Sequence, residues 1–506
     1  MATESVVHTA MTLHDHLPVL QILVPFIAAP LTVFIGSRAL AWPISFASSV
    51  VSLVIAWLLL MQVIDGDVIS YHIGGWAPPL GIEYRVDAAN AFVVFLVAAI
   101  SVVVLPFAKV SVAYEVPLRD HALFYSAYLL CFSGLMGVAI TGDAFNVFVF
   151  LEISSLSTYV LIAAGAGKDK RALTAAYDYL IMGTIGATFF VIGIGFLYMG
   201  TGTLNMADLA QRIAAQGGNR TIEAGFAFIL VGIGLKLAFY PLHLWLPNAY
   251  TYAPSAVSAF LAATATKVAV YVLLRFCFTV FGPAFGFEVL TLQYVVLPLA
   301  VVAMFASSFV AVFQSDFKRM LAYSSIAQIG YMLLGIAFLT ETGVTAAIVH
   351  LFNHGITKAA LFMAVGAYVL RAGDTFYNDI AGLGRKMPWT SAAVVIGGLS
   401  LIGVPGTAGF ISKWVLVQAA FEKGWWPVAL LIVASSLLAV IYVWRVVEVL
   451  YLQPAREDST ATEAPLTMLV PIWVAALACI WFGIDTDTTL GAARTAAAGL
   501  LNLPGQ

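Results

Sequence analysis

The chain reads as an all-α polytopic membrane protein of about fourteen transmembrane helices, with two inverted five-helix repeats and breaks in helices seven and twelve. Three observations predict this. Of 506 residues, 62% are hydrophobic and only 10% charged, with mean hydropathy +0.98, where soluble chains carry about 25% charged residues. Apolar stretches of about 20 residues, the length that crosses ~30 Å of hydrocarbon, recur along the whole chain. Finally, Lys236, Lys267, Lys358 and Lys413 each interrupt such a stretch. A charge near the bilayer centre costs roughly 2.5–3.5 kcal/mol, which makes it a functional candidate by default.

The segments fall into four groups within a single membrane domain, 1–506. Three N-terminal helices are expected within 17–108, near 17–36, 40–62 and 88–108. The first repeat, 121–281, holds segments near 121–140, 143–165, 174–200, 223–247 and 254–281. The second repeat, 289–452, holds 289–313, 318–339, 342–370, 388–415 and 425–452, and a last helix covers 465–484. The longest polar stretches, 65–87, 201–222, 371–387 and 453–464, are too short to bury cores of their own. Among them DGDVISYHIGGWAPPLGIEYRVD mixes β-formers with Gly and Pro, which predicts a hairpin over the outer mouth of the bundle.

The first eighteen residues lack a basic region and a small-residue cleavage site, so the first apolar segment is expected to be retained. An even number of spans places both termini on one side. Loops after odd-numbered helices carry thirteen of the 23 basic residues against six opposite, so both termini are expected on the non-cytoplasmic side of a cell (inner) membrane. A net charge of −3 gives no reason to expect nucleic acid. Cys131, Cys277 and Cys479 stand alone, with no iron–sulfur spacing and no expected disulfide. There is no flavin or nucleotide motif either, and no cofactor is expected.

Three segments carry breaking residues beside charge. Pro241 and Pro247 follow Lys236; Pro405, Gly406 and Gly409 precede Lys413; Asn353 and Gly355 lie among His350, His354 and Lys358. Irregular backbone at membrane depth is tolerated only where protein buries it or it lines a hydrated cavity. Interrupted helices in matching positions of two halves point to an inverted-repeat transporter with its ion path at the interface.

Glu152 has apolar flanks apart from the serines after it; it either belongs to that path or merely neutralises a lysine. Lys236 and Lys267 are too central to snorkel easily, whereas Lys413 has that alternative. His350, His354 and Lys358 have i, i+4, i+8 spacing, about 6 Å per step on one helix face, which suits a relay through side chains and water. Two histidines at that spacing also bind zinc, but Lys358 would repel a cation and no third ligand is evident, so no metal is expected. His243 either extends the relay from Lys236 or bonds a carbonyl freed at the break. Asp143, Asp178, Asp316 and Glu448 lie nearer segment ends, where solvation or helix-end pairing explains them. Burial favours the neutral amine of a lysine and a nearby carboxylate the ammonium, so a lysine poised between them exchanges its proton when a neighbouring charge changes.

The runs LKLAFYPLHLWLPNAY, APSAVSAFLAATATKVAVYVLLR, SDFKRMLAYSSIAQIGYMLLG, HLFNHGITKAALFMAVG and PGTAGFISKW resemble the proton-translocating, antiporter-like membrane subunits shared by respiratory complex I, membrane-bound hydrogenases and Mrp-type multi-subunit antiporters. The resemblance implies fourteen helices in two inverted halves. It matches Glu152 to the segment-five glutamate, Lys236 to the lysine paired with it and Lys267 to a bridging lysine. It likewise matches His350, His354 and Lys358 to a relay and Lys413 to its terminal residue. Lysine at 413 is unlike the complex I subunit that carries glutamate there, and no long lateral helix like that of the distal complex I subunit is expected after segment fourteen. Asp178 stands where many relatives have a basic residue. The expectation is a chain similar to the D-type subunit of Mrp antiporters, exchanging protons for a monovalent cation, sodium (Na+) first, and working with other subunits of its complex in the lipid bilayer. The alternatives are a proton-pumping subunit of an NADH:quinone oxidoreductase or hydrogenase, and a scaffold whose buried charges are static salt bridges.

Overall fold

The computed structural model describes residues 13–36, 38–282, 285–457 and 460–501. Helices α1 (Leu17–Phe34), α2 (Arg38–Val63) and α3 (Ala88–Glu115) open the chain. Between α2 and α3 the strands β1 (Ile69–His72) and β2 (Glu83–Val86) pair antiparallel, Ile69 opposite Val86 and His72 opposite Glu83. The expected hairpin is therefore present. Next come α4 (His121–Ile140), α5 (Ala144–Ala163), α6 (Arg171–Thr201), the short amphipathic α7 (Met206–Gln216), α8 (Arg220–Lys236), α9 (Trp245–Tyr252), α10 (Ser255–Ala263) and α11 (Ala265–Leu274). α12 (Gly286–Thr291) continues through wider turns into α13 (Leu297–Val312), followed by α14 (Phe317–Ala337) and α15 (Glu341–Ala372). Two single turns, α16 (Tyr377–Ile380) and α17 (Leu383–Lys386), lead to α18 (Pro388–Ile402), α19 (Ala408–Glu422), α20 (Trp426–Tyr451), α21 (Leu466–Ile484) and α22 (Asp487–Leu500).

Among the described residues, twelve helical segments are long and apolar enough to cross a membrane. The expected seventh and twelfth segments are each a pair of shorter helices, α8 with α9 and α18 with α19. Side-chain caps set many of the starts. Asp87 and Asn90 form a reciprocal capping box on α3, and Asp143, Asn205, Asn219, Asp316 and Thr340 each accept a first-turn N–H.

Two chain crossings are built alike. Ala144 N donates to Leu204 O and Met206 N to Gly142 O, while Phe317 N donates to Thr375 O and Tyr377 N to Ser315 O, all at 2.8–3.0 Å. Each ties the start of one helix, α5 or α14, to the chain that leaves the next, α6 or α15. α15 is the axis of the bundle, its most apolar window wholly buried. α6 and α8 cross on glycine: a Cβ at Gly232 would meet Phe190 N at 2.6 Å and one at Gly193 would meet Gly225 O at 2.8 Å, so only bare backbones pack this closely.

Three expectations about breaks need correcting. The eleventh segment is not interrupted, since α15 runs unbroken from Glu341 to Ala372. Asn353 turns its amide outward to the Ala408 carbonyl (2.6 Å), and Gly355 admits the Ala263 carbonyl, 3.1 Å from where its Cβ would be. Pro247 lies in the first turn of α9, where a missing N–H costs little; the break proper is 237–244 and contains Pro241. The eighth segment, expected to be continuous, is interrupted at Thr264, whose φ/ψ of −126°/−58° is not helical.

Candidate functional site

The breaks leave backbone carbonyls without helical partners, and two of the buried lysines use them. Lys413 on α19 reaches back across the 403–407 turn to the end of α18, donating to Leu401 O (3.1 Å) and Ile402 O (2.8 Å) and to Ser436 Oγ of α20 (3.1 Å). Gly403, at φ 88°, ends α18 in the left-handed region, and the partial negative charge of that helix end favours the ammonium. The ring of Tyr331 lies 4.7 Å from Lys413 Nζ. Lys267, fully buried, donates to the Ala262 carbonyl at the Thr264 interruption, with Thr266 Oγ1 at 3.4 Å. At the first break the freed Leu235 carbonyl goes instead to the indole N–H of Trp245 (2.9 Å).

Two other lysines sit on serines one helix away. Lys236 Nζ lies 2.5 Å from Ser155 Oγ and 3.5 Å from Glu152 Oε1, both on α5. Lys358 donates to Ser324 Oγ (2.6 Å) and Leu321 O (2.8 Å) on α14. Ser155 and Ser324 both spend their own protons on helix carbonyls, Leu151 O and Leu321 O, so each presents a lone pair to its lysine. The spacing Leu-x-x-Ser-Ser recurs as Leu151–Ser155 and Leu321–Ser325, a signal legible in the chain on which no expectation rested.

His350 and His354 stack with ring centroids 6.1 Å apart and nearly parallel planes. His350 Nδ1 pairs with Ser412 Oγ (2.8 Å). Its Nε2, and both ring nitrogens of His354, have no hydrogen-bond partner among the described residues. Around His354, Lys267, Lys358, Lys413 and His350 all lie within Coulomb range, so the five form one electrostatic cluster centred on it. Glu152, Lys236 and Ser155 form a second. Between Lys236 and α11 lies an apolar seam lined by Leu151, Phe190, Ile233, Ala269 and Val272, too narrow for water.

His243 is buried and stacks on Tyr240 at 4.9 Å, with Nδ1 unpartnered among the described residues. Asp178 lies half-buried on α6. Asp143 and Asp316 cap helices, as helix-end residues do. No group of three or more His, Cys, Asp or Glu among the described residues could hold a metal.

One further charged site centres on Lys318, which reads in the sequence as a loop residue. Lys318 is 4% exposed, and its ammonium donates to the Ala253 carbonyl that ends α9. Across the same α9–α10 junction Glu115 accepts from Ser255 N (3.1 Å), Ser255 Oγ (3.1 Å) and Ser111 Oγ (2.6 Å). Opposite charges thus clamp the two ends of the link between the Lys236 break and the Lys267 helix. A cavity of about 120 Å³ opens beside them, also lined by Lys168, Asp169 and Asp374. Only the tertiary fold brings these residues together; no local spacing announces them.

A family model described as NADH:quinone oxidoreductase/Mrp antiporter, transmembrane, matches residues 141–439. NADH-quinone oxidoreductase subunit N of Desulforudis audaxviator is 37% identical, covering 93% of this chain and 96% of its own. The D-type subunit of the Na(+)/H(+) antiporter of Alkalihalophilus pseudofirmus is 32% identical, covering 85% and 86%. Among solved structures, a chain of the Mrp complex from Dietzia sp. superposes with a TM-score of 0.89 at 26% identity, covering 97% of this chain and 98% of that one.

Proposed function

Because the chain belongs to the NADH:quinone oxidoreductase/Mrp antiporter transmembrane family, we propose that it is the proton-translocating subunit of a multi-subunit monovalent cation/proton antiporter, with sodium as the exchanged ion. It works among other membrane subunits, as its structural neighbour does in the Mrp complex. Protons pass from Glu152 and Lys236 to Lys267 and through the α15 relay of His350, His354 and Lys358 to Lys413, with His243 as an accessory group.

One observation carries this reading against a static scaffold. Lys267, Lys358 and Lys413 are seated on carbonyls, hydroxyls and aromatic rings, and among the described residues none has a carboxylate in ion-pair range. A scaffold would pair each buried ammonium with an acid, because an uncompensated buried charge is strongly destabilising. Neutral acceptors instead serve both amine and ammonium, which a proton carrier requires. The dry seam beside Lys236 divides the path in two, so transfer between the halves is gated by wetting or by movement of α8 against α11. The two like-built crossings support the two-repeat reading, 121–281 and 289–452. The Glu115–Lys318 cavity is placed to feed the junction leading to Lys267. In this reading both termini lie on the non-cytoplasmic side of the cell membrane, as the charge bias of the loops supports.

The test is sodium-induced collapse of a preformed pH gradient in everted vesicles from antiporter-deficient cells expressing the whole complex. Collapse in the wild type, lost in Glu152→Gln and Lys236→Ala at matched expression, is the expected result. The 37% identity to a redox-complex subunit favours a second reading, a redox-driven proton pump. Proton movement driven by an electron donor, with no cation-dependent collapse, would establish it instead.

A further inference from the structure

Where α2 and α21 stand apart over α3, they leave an apolar groove of about 530 Å³, within the ~300–1,000 Å³ range of small-ligand sites. Phe46, Val103, Pro106, Val470, Pro471 and Val474 line it. Pro106 and Pro471 lie inside their helices, and a mid-helix proline removes a backbone donor and bends its helix. Val470 and Val474 are at least half exposed, so the groove opens toward the hydrocarbon rather than the bundle interior.

One end of the groove is polar. Val102, Pro106 and Lys109 follow i, i+4, i+7 spacing on one face of α3, which puts Lys109 a turn beyond the last apolar lining residue. Its ammonium lies 4.7 Å from the Trp42 ring centroid. Trp42 stacks on Phe46 at 5.4 Å and is anchored through Nε1 to the Leu105 carbonyl (2.8 Å). No carboxylate pairs with Lys109 among the described residues. α21 begins at this same end, with Leu466 and Thr467 in the lining and their N–H groups without helical partners; Met468 N donates to Pro465 O, and the Glu463 carboxylate just before the helix accepts from Trp389 N, Thr390 Oγ1 and Ala464 N. The Lys109 cation and the Trp42 indole therefore lie beyond the end of the groove's phenyl and aliphatic wall, the order of phosphate, interface and acyl chain in a phospholipid.

We propose that this groove binds one anionic phospholipid, with its phosphate on Lys109 and the start of α21 and an acyl chain along Leu466–Val474, a run of roughly 12 Å at the helical rise. The lipid fits better than a partner helix because the groove's wall is aliphatic and aromatic and the cation beyond its end has no carboxylate partner among the described residues. The inference is independent of which ion the protein exchanges.

The test uses the intact complex, purified in detergent, relipidated with equal phosphatidylglycerol and phosphatidylcholine, and weighed by native mass spectrometry. The wild type is expected to retain phosphatidylglycerol with about five-fold preference, the factor one surface lysine supplies toward an anionic headgroup. Lys109→Gln is expected to erase the preference while lipid is still retained. Val470→Trp, at an outward position that leaves the fold alone, is expected to lose the lipid itself. No preference in the wild type, or unchanged retention in Val470→Trp, overturns the proposal. So does efficient cross-linking of Val470→Cys to a neighbouring subunit, which would place protein in the groove.

Discussion

Removing both partners of the Glu152–Lys236 pair should harm the fold less than removing either one, while abolishing transport just as fully. At 3.5 Å the two charges attract by about 5 kcal/mol at an effective dielectric near 20, and the 26% exposure of the Glu152 side chain trims that through solvent screening. Glu152→Gln leaves the ammonium with Ser155 Oγ as its one strong acceptor, and Lys236→Met leaves a half-buried carboxylate. Breaking a buried pair this way costs about 3–5 kcal/mol, less whatever the orphan recovers by neutralising itself. The double variant has no orphan charge, so a double-mutant cycle on unfolding of the purified protein should show coupling of about 2–3 kcal/mol or more. Sodium-driven proton exchange measured on the same four proteins should be absent from all three variants. Additive destabilisation would mean the pair is not coupled as the geometry says. Exchange retained in the double variant would reduce the pair to scaffold and sink the proposed path.

Four further outcomes follow from particular contacts. Burial alone would lift the Asp87 carboxyl, but the Arg275 charge, its hydrogen bonds and the Asn90 N–H outweigh that and hold it below its ordinary 3.8. A depressed carboxyl stabilises fully above its unfolded value and loses the contribution as pH falls through the folded one, so hydrogen exchange at the adjoining β1–β2 hairpin should quicken only below about pH 4, and in Asp87→Asn this acid step should vanish. Ser324→Ala removes the shortest acceptor of Lys358 and should slow exchange by an amount equivalent to about 1–3 kcal/mol; Ser155→Ala, which leaves Lys236 its carboxylate, should slow it less. A Cβ at Gly409 would clash with the Ser400 carbonyl, so Gly409→Ala should destabilise by at least about 1–3 kcal/mol in thermal melts, whereas Gly491→Ala meets nothing within 4 Å and should be silent. For sidedness, a membrane-impermeant thiol reagent should label Lys168→Cys in everted vesicles and Arg212→Cys in right-side-out ones; the reverse pattern would invert the proposed topology.

Much of this molecule is local physics. Bilayer thickness dictates the length of an apolar run, so the class and most spans can be read residue by residue, and the cost of intramembrane charge singles out Lys236, Lys267, Lys358 and Lys413 without any structure. Breaks read well where proline carries them, as at Pro241 and Pro405. They misread at Asn353 and Gly355, where an amide and a missing side chain serve contacts with other helices, and at Thr264, whose AATATK surroundings contain neither glycine nor proline. The helix α22 escaped because its Ala- and Thr-rich stretch is too weakly apolar to register as a span.

What holds the charges was decided only by the tertiary structure. The acceptors of Lys358 lie on α14, 34 and 37 residues away, and those of Lys236 on α5, 81 and 84 residues away, and no periodicity within one helix encodes a partner on another. The same holds for the Glu115–Lys318 clamp, the dry seam beside Lys236 and the groove ending at Lys109. Sequence determines which groups cannot be left in hydrocarbon, because that cost belongs to each residue alone; packing determines what they are given in place of water, because a hydrogen bond is a property of two positions in space.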